Sequence, residues 1–228
     1  MIDIHSHILP GMDDGSDSPE MSAQLLRQLS AQGVDTVAAT PHFYARKDTP
    51  QKFLRRRAAA FERLHYDPDC HIRIIPGAEV AYFDGMSRSE DLSALQLGTT
   101  GLILVEMPFG TWTQRMLREL GQIQLQTGLV PVLAHVDRYR KQMKKHRRQL
   151  MDMDVYFQCN AEAFLPKWGR FWALRQLRRG EIHFLGSDCH NLADRAPQMD
   201  AAARIIEKNL GKEPLEKMND LAKRILHI

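Results

Sequence analysis

Histidine and carboxylate side chains stand where short apolar runs of this sequence end. The first run, Met1–His5, leads into a pair of histidines, His5 and His7, and the run Leu129–Ala134 is followed by His135. Two histidines at i and i+2 of an extended segment project to the same face, so His5 and His7 can bind one metal ion together. Imidazole and carboxylate ligands suit zinc, manganese, iron and similar ions.

The ends of the other apolar runs carry the same chemistry. The residues concerned are Asp14, in the loop after the first run, and His42, Glu79, Glu106, Asp188 and His190. One such residue after a strand is usually a helix cap or a satisfied polar group. Six independent explanations of that kind are improbable, because buried carboxylates are costly unless they are paired or coordinated. The pattern predicts a multinuclear metal site, in which a shared carboxylate such as Glu79 bridges two ions.

Strand-like and helix-like segments alternate along the chain. The predicted strands are Met1–His5, Val34–Ala39, Ile72–Pro76, Gly101–Glu106, Leu129–Ala134, Val155–Gln158 and Ile182–Leu185. The predicted helices are Ser18–Gly33, Thr49–His65, Thr113–Gly128, Tyr139–Met151, Gly169–Gly180, Ala196–Asn209 and Pro214–His227. Such alternation indicates parallel strands joined by helical crossovers. We expect one α/β domain over residues 1–228, built as an open doubly wound sheet or a closed barrel of seven units, with the polar strand ends on one face.

The composition excludes several classes of protein. The chain has 228 residues, of which 43% are hydrophobic and 26% charged, and a net charge of +3. These values are typical of a folded globular protein, and no apolar run is long enough to span a membrane. Three cysteines without close spacing and a first segment unlike a signal peptide lead us to expect a cytoplasmic protein.

Arginine clusters leave the choice of partner open. Of the 31 basic residues, 21 are arginines, with clusters at Arg55–Arg57, Arg147–Arg148 and Arg178–Arg179. Arginine suits bidentate binding of phosphate and carboxylate groups. The clusters are therefore either solvated helix faces or contacts for nucleic acid or for an acidic or phosphorylated partner.

Several motifs resemble a known family. The Asp3-x-His5-x-His7 pattern resembles the first motif of the PHP (polymerase and histidinol phosphatase) superfamily. The segments IDIHSHILPGMDDGS, GAEV, AHVDRYR and SDCHNLADRAP resemble the CpsB/YwqE-type tyrosine-protein phosphatases of bacterial capsule and exopolysaccharide clusters. The resemblance extends from Met1 to about Pro197 and implies a distorted (β/α)7 barrel of PHP type that binds three metal ions. Manganese is the metal most expected, with iron, zinc, cobalt or magnesium as alternatives.

The resemblance also implies a role for each site residue. The first ion would bind His5, His7, Glu79 and Asp188; the second would bind Glu79, Glu106 and His135; the third would bind Asp14, His42 and His190. Arg138 and Arg195 match the arginines that hold the substrate phosphate, and we count Asp188 with them as a catalytic residue. The position of Asn160 after the sixth strand predicts a hydrogen bond to substrate or to a ligand.

The function implied is that of a metal-dependent protein-tyrosine phosphatase. The metal ions would lower the pKa of bound water, and the resulting hydroxide would attack phosphorus. The substrate implied is the phosphotyrosine-bearing tail of a bacterial tyrosine kinase of capsule or exopolysaccharide biosynthesis. We expect no nucleic-acid partner and no membrane span, and we leave open whether the protein forms a homo-oligomer. Two alternatives remain: a small-molecule phosphatase such as histidinol phosphatase, and a metal-dependent nuclease or nucleic-acid-binding PHP module.

A cysteine mechanism also has to be considered. Cys189 and Arg195 fit the Cys-x5-Arg signature of cysteine-dependent tyrosine phosphatases. That mechanism needs a lowered thiol pKa and a loop of backbone amides that holds phosphate. Asp188 and Asp194 lie near the thiol in sequence and would raise its pKa instead. We therefore expect Cys189 to be dispensable.

Overall fold

The computed structural model describes residues 1–64 and 70–227. Its strands are β1 (Ile2–Ser6), β2 (Thr36–Ala39), β3 (His42–Phe43), β4 (Arg73–Pro76), β5 (Glu79–Ala81), β6 (Leu102–Glu106), β7 (Val130–Leu133), β8 (Tyr156–Asn160) and β9 (Phe184–Gly186). Its helices are α1 (Pro19–Ala31), α2 (Pro50–Glu62), α3 (Gln114–Thr127), α4 (Arg140–Met151), α5 (Lys167–Arg178), α6 (Met199–Leu210) and α7 (Glu213–Leu226). None of these helices combines the length and the hydropathy needed to cross a membrane.

The nine strands form seven parallel barrel staves. β2 resumes as β3 after two residues, and β4 resumes as β5 in the same way, so each pair acts as one interrupted stave. Pairing runs β1–β2–β4 in one sheet and β3–β5–β6–β7–β8–β9 in the other. Beyond β9, the Asp188 amide donates to the His5 carbonyl at 2.8 Å and the His7 amide donates to the Cys189 carbonyl at 3.0 Å. These bonds join the last stave to the first, so the prediction of a distorted (β/α)7 barrel is confirmed.

The helix starts follow from capping residues that the sequence displays. The hydroxyls of Ser18, Thr49 and Thr113 accept hydrogen bonds from the amides three residues later, which satisfies a free donor at each helix start. The predicted helices and strands all occur, with most ends displaced by one to three residues. The predicted end of the second helix at His65 lies outside the described residues, and α2 ends at Glu62.

Residues of each strand alternate between two apolar layers. In β6, Leu102 and Leu104 belong to a cluster inside the barrel, whereas Ile103 and Val105 belong to the cluster between sheet and helices. Helix α7 adds Leu226 to the inner cluster, and its Asn219 side chain accepts a hydrogen bond from the Ile2 amide. The amino-terminal end of the barrel is therefore closed by apolar packing, which leaves the carboxyl-terminal end for polar residues.

Candidate metal centre

An extra residue in β1 directs the first histidine into the barrel. Asp3 pairs with Val37, but Ser6 pairs with Ala39, so the register shifts by one residue between them. A β-bulge of this kind re-aims the side chains that follow it. Ile4 lies in the inner apolar cluster, and the ring of the adjacent His5 also reaches the polar centre of the barrel.

Two further site residues have left-handed backbone conformations. His135 has φ of 32° and Asp188 has φ of 49°, and they lie two residues after the ends of β7 and β9, respectively. Such conformations cost about 1–3 kcal/mol at a non-glycine residue and concentrate at functional sites. The amide of His135 donates to Gln158 Oε1 at 2.6 Å, which helps to fix the turn.

Glu79 lies at the centre of the predicted ligands. Its Oε2 atom is 3.3 Å from Nε2 of His5, 3.3 Å from Nε2 of His7 and 3.0 Å from Nδ1 of His42. Its Oε1 atom is 2.9 Å from Nε2 of His135. The side chain is only 1% exposed. One buried carboxylate thus meets four imidazoles, which is the arrangement expected of a bridging ligand.

The remaining predicted ligands surround this centre. Glu106 lies 3.6 Å from Nε2 of His135, and Asp14 Oδ1 lies 3.6 Å from Nε2 of both His42 and His190. The donor atoms form three groups, and within each group they lie within 4.8 Å of one another. The groups are His7, Asp14, His42 and His190; His5, His7 and Glu79; and His42, Glu79 and Glu106. The nine predicted ligands therefore converge at one end of the barrel.

The chemistry of these donors fits divalent metal ions. Among the described residues, Nδ1 of His42 and Nε2 of His190 are buried without a hydrogen-bond partner. A buried polar atom left unpaired costs about 1–3 kcal/mol, so each needs a compensating ligand. Both atoms face carboxylates, and the surrounding donors are nitrogen and oxygen, which suits manganese, iron or zinc.

A second layer of residues orients the histidines. Asp13 Oδ2 lies 2.7 Å from Nδ1 of His7 and also accepts the His42 amide at 2.8 Å. Gln158 Oε1 lies 3.0 Å from Nδ1 of His5. Such partners fix the tautomer and the ring plane of a ligating imidazole. Sequence reasoning missed Gln158, although its place two residues before Asn160 in β8 puts both on one side of the strand.

Asp3, in contrast, does not orient a ring. Its Oδ1 atom accepts hydrogen bonds from the backbone amides of His5 and Ser187. Asp3 thus ties β1 to the segment after β9 and supports the seam of the barrel. Burial raises the pKa of this carboxyl to about 6, against the lowering effect of these hydrogen bonds.

Asp188 is the point on which the predicted phosphate-binding residues meet. Arg138 Nη2 donates to Asp188 Oδ2 at 2.6 Å, and Arg195 Nη2 donates to Oδ1 at 3.0 Å. Asn160 Nδ2 donates to Oδ2 at 2.8 Å. About a third of each arginine side chain is exposed, whereas Asp188 is buried. Both guanidinium groups therefore connect the buried cluster with the solvent-facing mouth of the barrel.

The buried charged groups shift one another's pKa values. Burial lowers the pKa of His7, but the charge of Asp13 and hydrogen bonds to Asp13 and Glu79 outweigh it and raise the pKa to about 10. Burial likewise opposes ionisation of Glu79, yet His5 and His135 hold its pKa well below the usual range. Glu79 is therefore a carboxylate at neutral pH, which is the form that binds metal.

Cys189 lacks the properties of a nucleophile. Its side chain is fully buried, and burial together with the charge of Asp3 raises the pKa of the thiol. A reactive cysteine needs an exposed thiol whose pKa is lowered. The expectation that Cys189 is dispensable for a hydrolytic mechanism agrees with this environment.

The fold and these donors define a parallel β/α-barrel protein with a candidate metal centre at the carboxyl ends of its strands. Residues 1–226 match the family model for CpsB/CapC proteins of capsular polysaccharide synthesis. The chain therefore belongs to the CpsB/CapC family. This confirms the resemblance inferred from the sequence motifs.

Named relatives agree with this assignment. The chain is 32% identical to the tyrosine-protein phosphatase CpsB of Streptococcus pneumoniae, over 96% of this chain and 94% of the relative. It is 30% identical to the tyrosine-protein phosphatase YwqE of Bacillus subtilis, over 93% and 86%. One solved chain, from the crystal structures of YwqE and CpsB described as metal-dependent tyrosine phosphatases, also matches. The TM-score is 0.85 and the identity 27%, over 99% of this chain and 94% of the solved chain.

Proposed function

We propose that this chain is a metal-dependent protein-tyrosine phosphatase. The observation that carries the proposal is the junction of two features: Glu79 surrounded by four imidazoles, and Asp188 held by two arginines beside it. The first feature suits a metal cluster and the second suits a phosphoryl group. The tyrosine phosphatases among its relatives, similar over nearly the whole chain, support the same reaction.

The proposed ligands are the nine residues that converge on the barrel end. They are His5, His7, Glu79 and Asp188 for the first ion, Glu79, Glu106 and His135 for the second, and Asp14, His42 and His190 for the third. Bound divalent ions supply Lewis acidity that activates water and neutralises phosphoryl oxygens. We propose manganese as the native metal; the imidazole and carboxylate donors, without a thiolate, suit it as they suit iron and zinc.

The chain's own polar groups would position the phosphate. Arg138 and Arg195 both reach Asp188 from the mouth of the barrel, so a phosphoryl group bound beside that carboxylate can accept hydrogen bonds from the remaining N–H groups of both guanidinium groups. Fixed positive charge of this kind stabilises the charge that develops on the phosphoryl oxygens. Asn160 would orient Asp188 through the hydrogen bond that it donates. A phenolate leaving group, with a pKa of about 10, needs little protonation.

The proposed partner is the phosphotyrosine-bearing tail of a bacterial tyrosine kinase in capsule synthesis. Membership in a capsular polysaccharide synthesis family supports this choice. We place the reaction in the cytoplasm, where the three free cysteines suit a reducing compartment.

Metal removal tests the proposal. We expect protein stripped with a chelator to lose hydrolysis of a phosphotyrosyl peptide, and added manganese to restore it. Elemental analysis of protein purified without added metal would give the native ion, and the same assays would compare histidinol phosphate and an oligonucleotide. Full activity of metal-free protein would contradict the proposal. Turnover of histidinol phosphate far above that of the peptide would establish the small-molecule alternative.

A further inference from the structure

A cavity of about 460 Å³ opens beside the candidate metal centre, on the side of His42. Its lining joins Asp14 and His42 of the centre to residues that are not proposed ligands, among them Asp48 and the group Tyr44, Lys47, Lys52 and Arg56. None of the last four is needed to explain the metal ligands or the two phosphate-binding arginines. The cavity therefore lies next to the proposed reaction site, and its charged residues have no assigned role in the reaction.

Three carboxylates line this cavity, and each has a partner other than its two lysines: Asp14, a proposed metal ligand, lies 3.6 Å from both His42 and His190. Asp48 is paired with Arg56 at 2.9 Å, and Asp13 is paired with His7 at 2.7 Å. Within residues 1–64 and 70–227, no carboxylate lies within 4.0 Å of the ammonium group of Lys47 or Lys52. Two unpaired ammonium groups beside a cavity favour an anionic occupant.

The positions of the two lysines support the same reading. The Lys47 ammonium lies 4.7 Å from the centre of the Tyr44 ring, which in turn stacks on His42 with ring centres 5.2 Å apart. A cation over an aromatic face is held by the ring quadrupole, so Lys47 is placed close to the metal centre. Lys52 lies in the first turn of α2, which carries no acidic residue. A cation there is disfavoured by the helix dipole, and a bound anion would relieve that cost.

We infer that this cavity is a second anion subsite, which binds a negatively charged group next to the phosphotyrosine of a polypeptide substrate. The inference rests on the proposed phosphatase function and adds a substrate preference to it. The anionic group can be a carboxylate side chain or a second phosphate, because ammonium groups bind both. Phosphotyrosine in an acidic sequence would then be a better substrate than the same residue in a neutral one.

Peptides that differ only in the flanking residue test the inference. The residue next to phosphotyrosine is glutamate in one peptide, phosphoserine in the second and glutamine in the third. Loss of phosphate from the phosphotyrosine of each peptide is followed by mass spectrometry. In the metal-loaded wild-type protein we expect kcat/KM to be about fivefold higher for the anionic peptides, and the advantage to shrink at high salt. In the double variant Lys47→Met/Lys52→Met the ratio of anionic to neutral kcat/KM should fall to about one.

A matched variant separates this subsite from general surface charge. Lys208→Met/Lys223→Met removes the same charge from exposed positions on α6 and α7 and should keep the wild-type ratio. Equal kcat/KM for all three peptides in the wild type, or an equal fall of the ratio in both double variants, would overturn the inference. A response to phosphoserine alone would assign the subsite to phosphate, and a response to both would assign it to anions in general. Failure of the metal-loaded wild type to hydrolyse any phosphotyrosyl peptide would instead refute the proposed function.

Discussion

The two ends of the barrel interior are built from the same strands but from opposite chemistry. Toward the amino-terminal end, Ile2, Leu102 and Val132 pack together beneath α7. Toward the carboxyl-terminal end, His5, Glu106 and His135 replace them, and ionisable side chains fill the space. Apolar packing holds the first end without a ligand, whereas the second holds carboxylates and unpaired imidazole nitrogens that need one. One end of the barrel therefore contributes mainly to stability, and the other carries the groups proposed for the reaction.

Histidines report this difference directly. At the polar end, burial lowers the pKa of His135, but hydrogen bonds to Glu106 and Glu79 outweigh it and raise the pKa to about 9. His183 precedes β9 at the other end, and burial lowers its pKa to about 4. Carboxylates surround one ring, whereas the other contacts Tyr156 and Phe157. The two environments therefore shift the pKa of the same type of side chain in opposite directions.

The largest expected effect comes from the centre of the polar end. Glu79→Gln removes the charge that meets four imidazoles and should lower kcat/KM for a phosphotyrosyl peptide by about 1,000-fold or more. The protein should remain folded by circular dichroism, because the apolar layers are unchanged. The control is Glu119→Gln, the same change at a buried glutamate bonded to Ser87, which should keep the activity of the folded protein. Retention of activity by the Glu79 variant would break the distinction between the two ends.

The complementary change lies in the apolar end. Leu102→Ala leaves a cavity in the inner cluster and should lower the free energy of unfolding by about 3 kcal/mol, measured by urea denaturation. The kcat of the molecules that remain folded should change by less than about twofold, since Leu102 pairs with Val130 at the opposite end of β6 from Glu106. A large loss of kcat without a loss of stability would show that the two ends are not separable.

The response to pH should also differ between the ends. Since the pKa of His183 is lowered on folding, the unfolded chain binds the proton more readily between pH 6.5 and pH 4, and stability falls as the pH falls through that range. This group should cost about 2 kcal/mol of unfolding free energy between pH 7.5 and pH 5. In His183→Asn, whose amide oxygen can replace the Nδ1 acceptor for Phe157, the loss over this range should be smaller by that amount. An unchanged pH profile would show that the imidazole is not held neutral.

The smallest expected effect concerns a residue behind the ligands. Gln158→Leu removes the partner of His5 Nδ1 and the acceptor for the His135 amide, and should weaken metal affinity by about tenfold. Titration of the stripped protein with manganese would measure it, and saturating metal should restore much of the activity. Asn209→Leu, at an exposed position on α6, provides the matched control. Unaltered metal affinity in the Gln158 variant would show that the residues behind the ligands do not contribute to metal binding.

Much of the fold and most of the candidate site could be predicted because their signals are local. Ser18 and Thr113 mark helix starts through hydrogen bonds to amides three residues away, and apolar runs mark the strands. The ligand positions followed from the rule that parallel strands end on one face. Gln158 was missed because its partners lie 153 and 23 residues away, and an isolated glutamine in a strand has no signature. The short strands β3 and β5 were missed because two and three residues are too few to show a periodic pattern.

The bulge in β1 makes the length of that strand as important as its composition. With the extra residue between Asp3 and Ser6, Ile4 and His5 can both serve the barrel interior. Deleting one residue there would restore simple alternation and turn the imidazole toward the helices, out of reach of its carboxylates. Natural variation in this stretch should therefore exchange one side chain for another and spare the spacing.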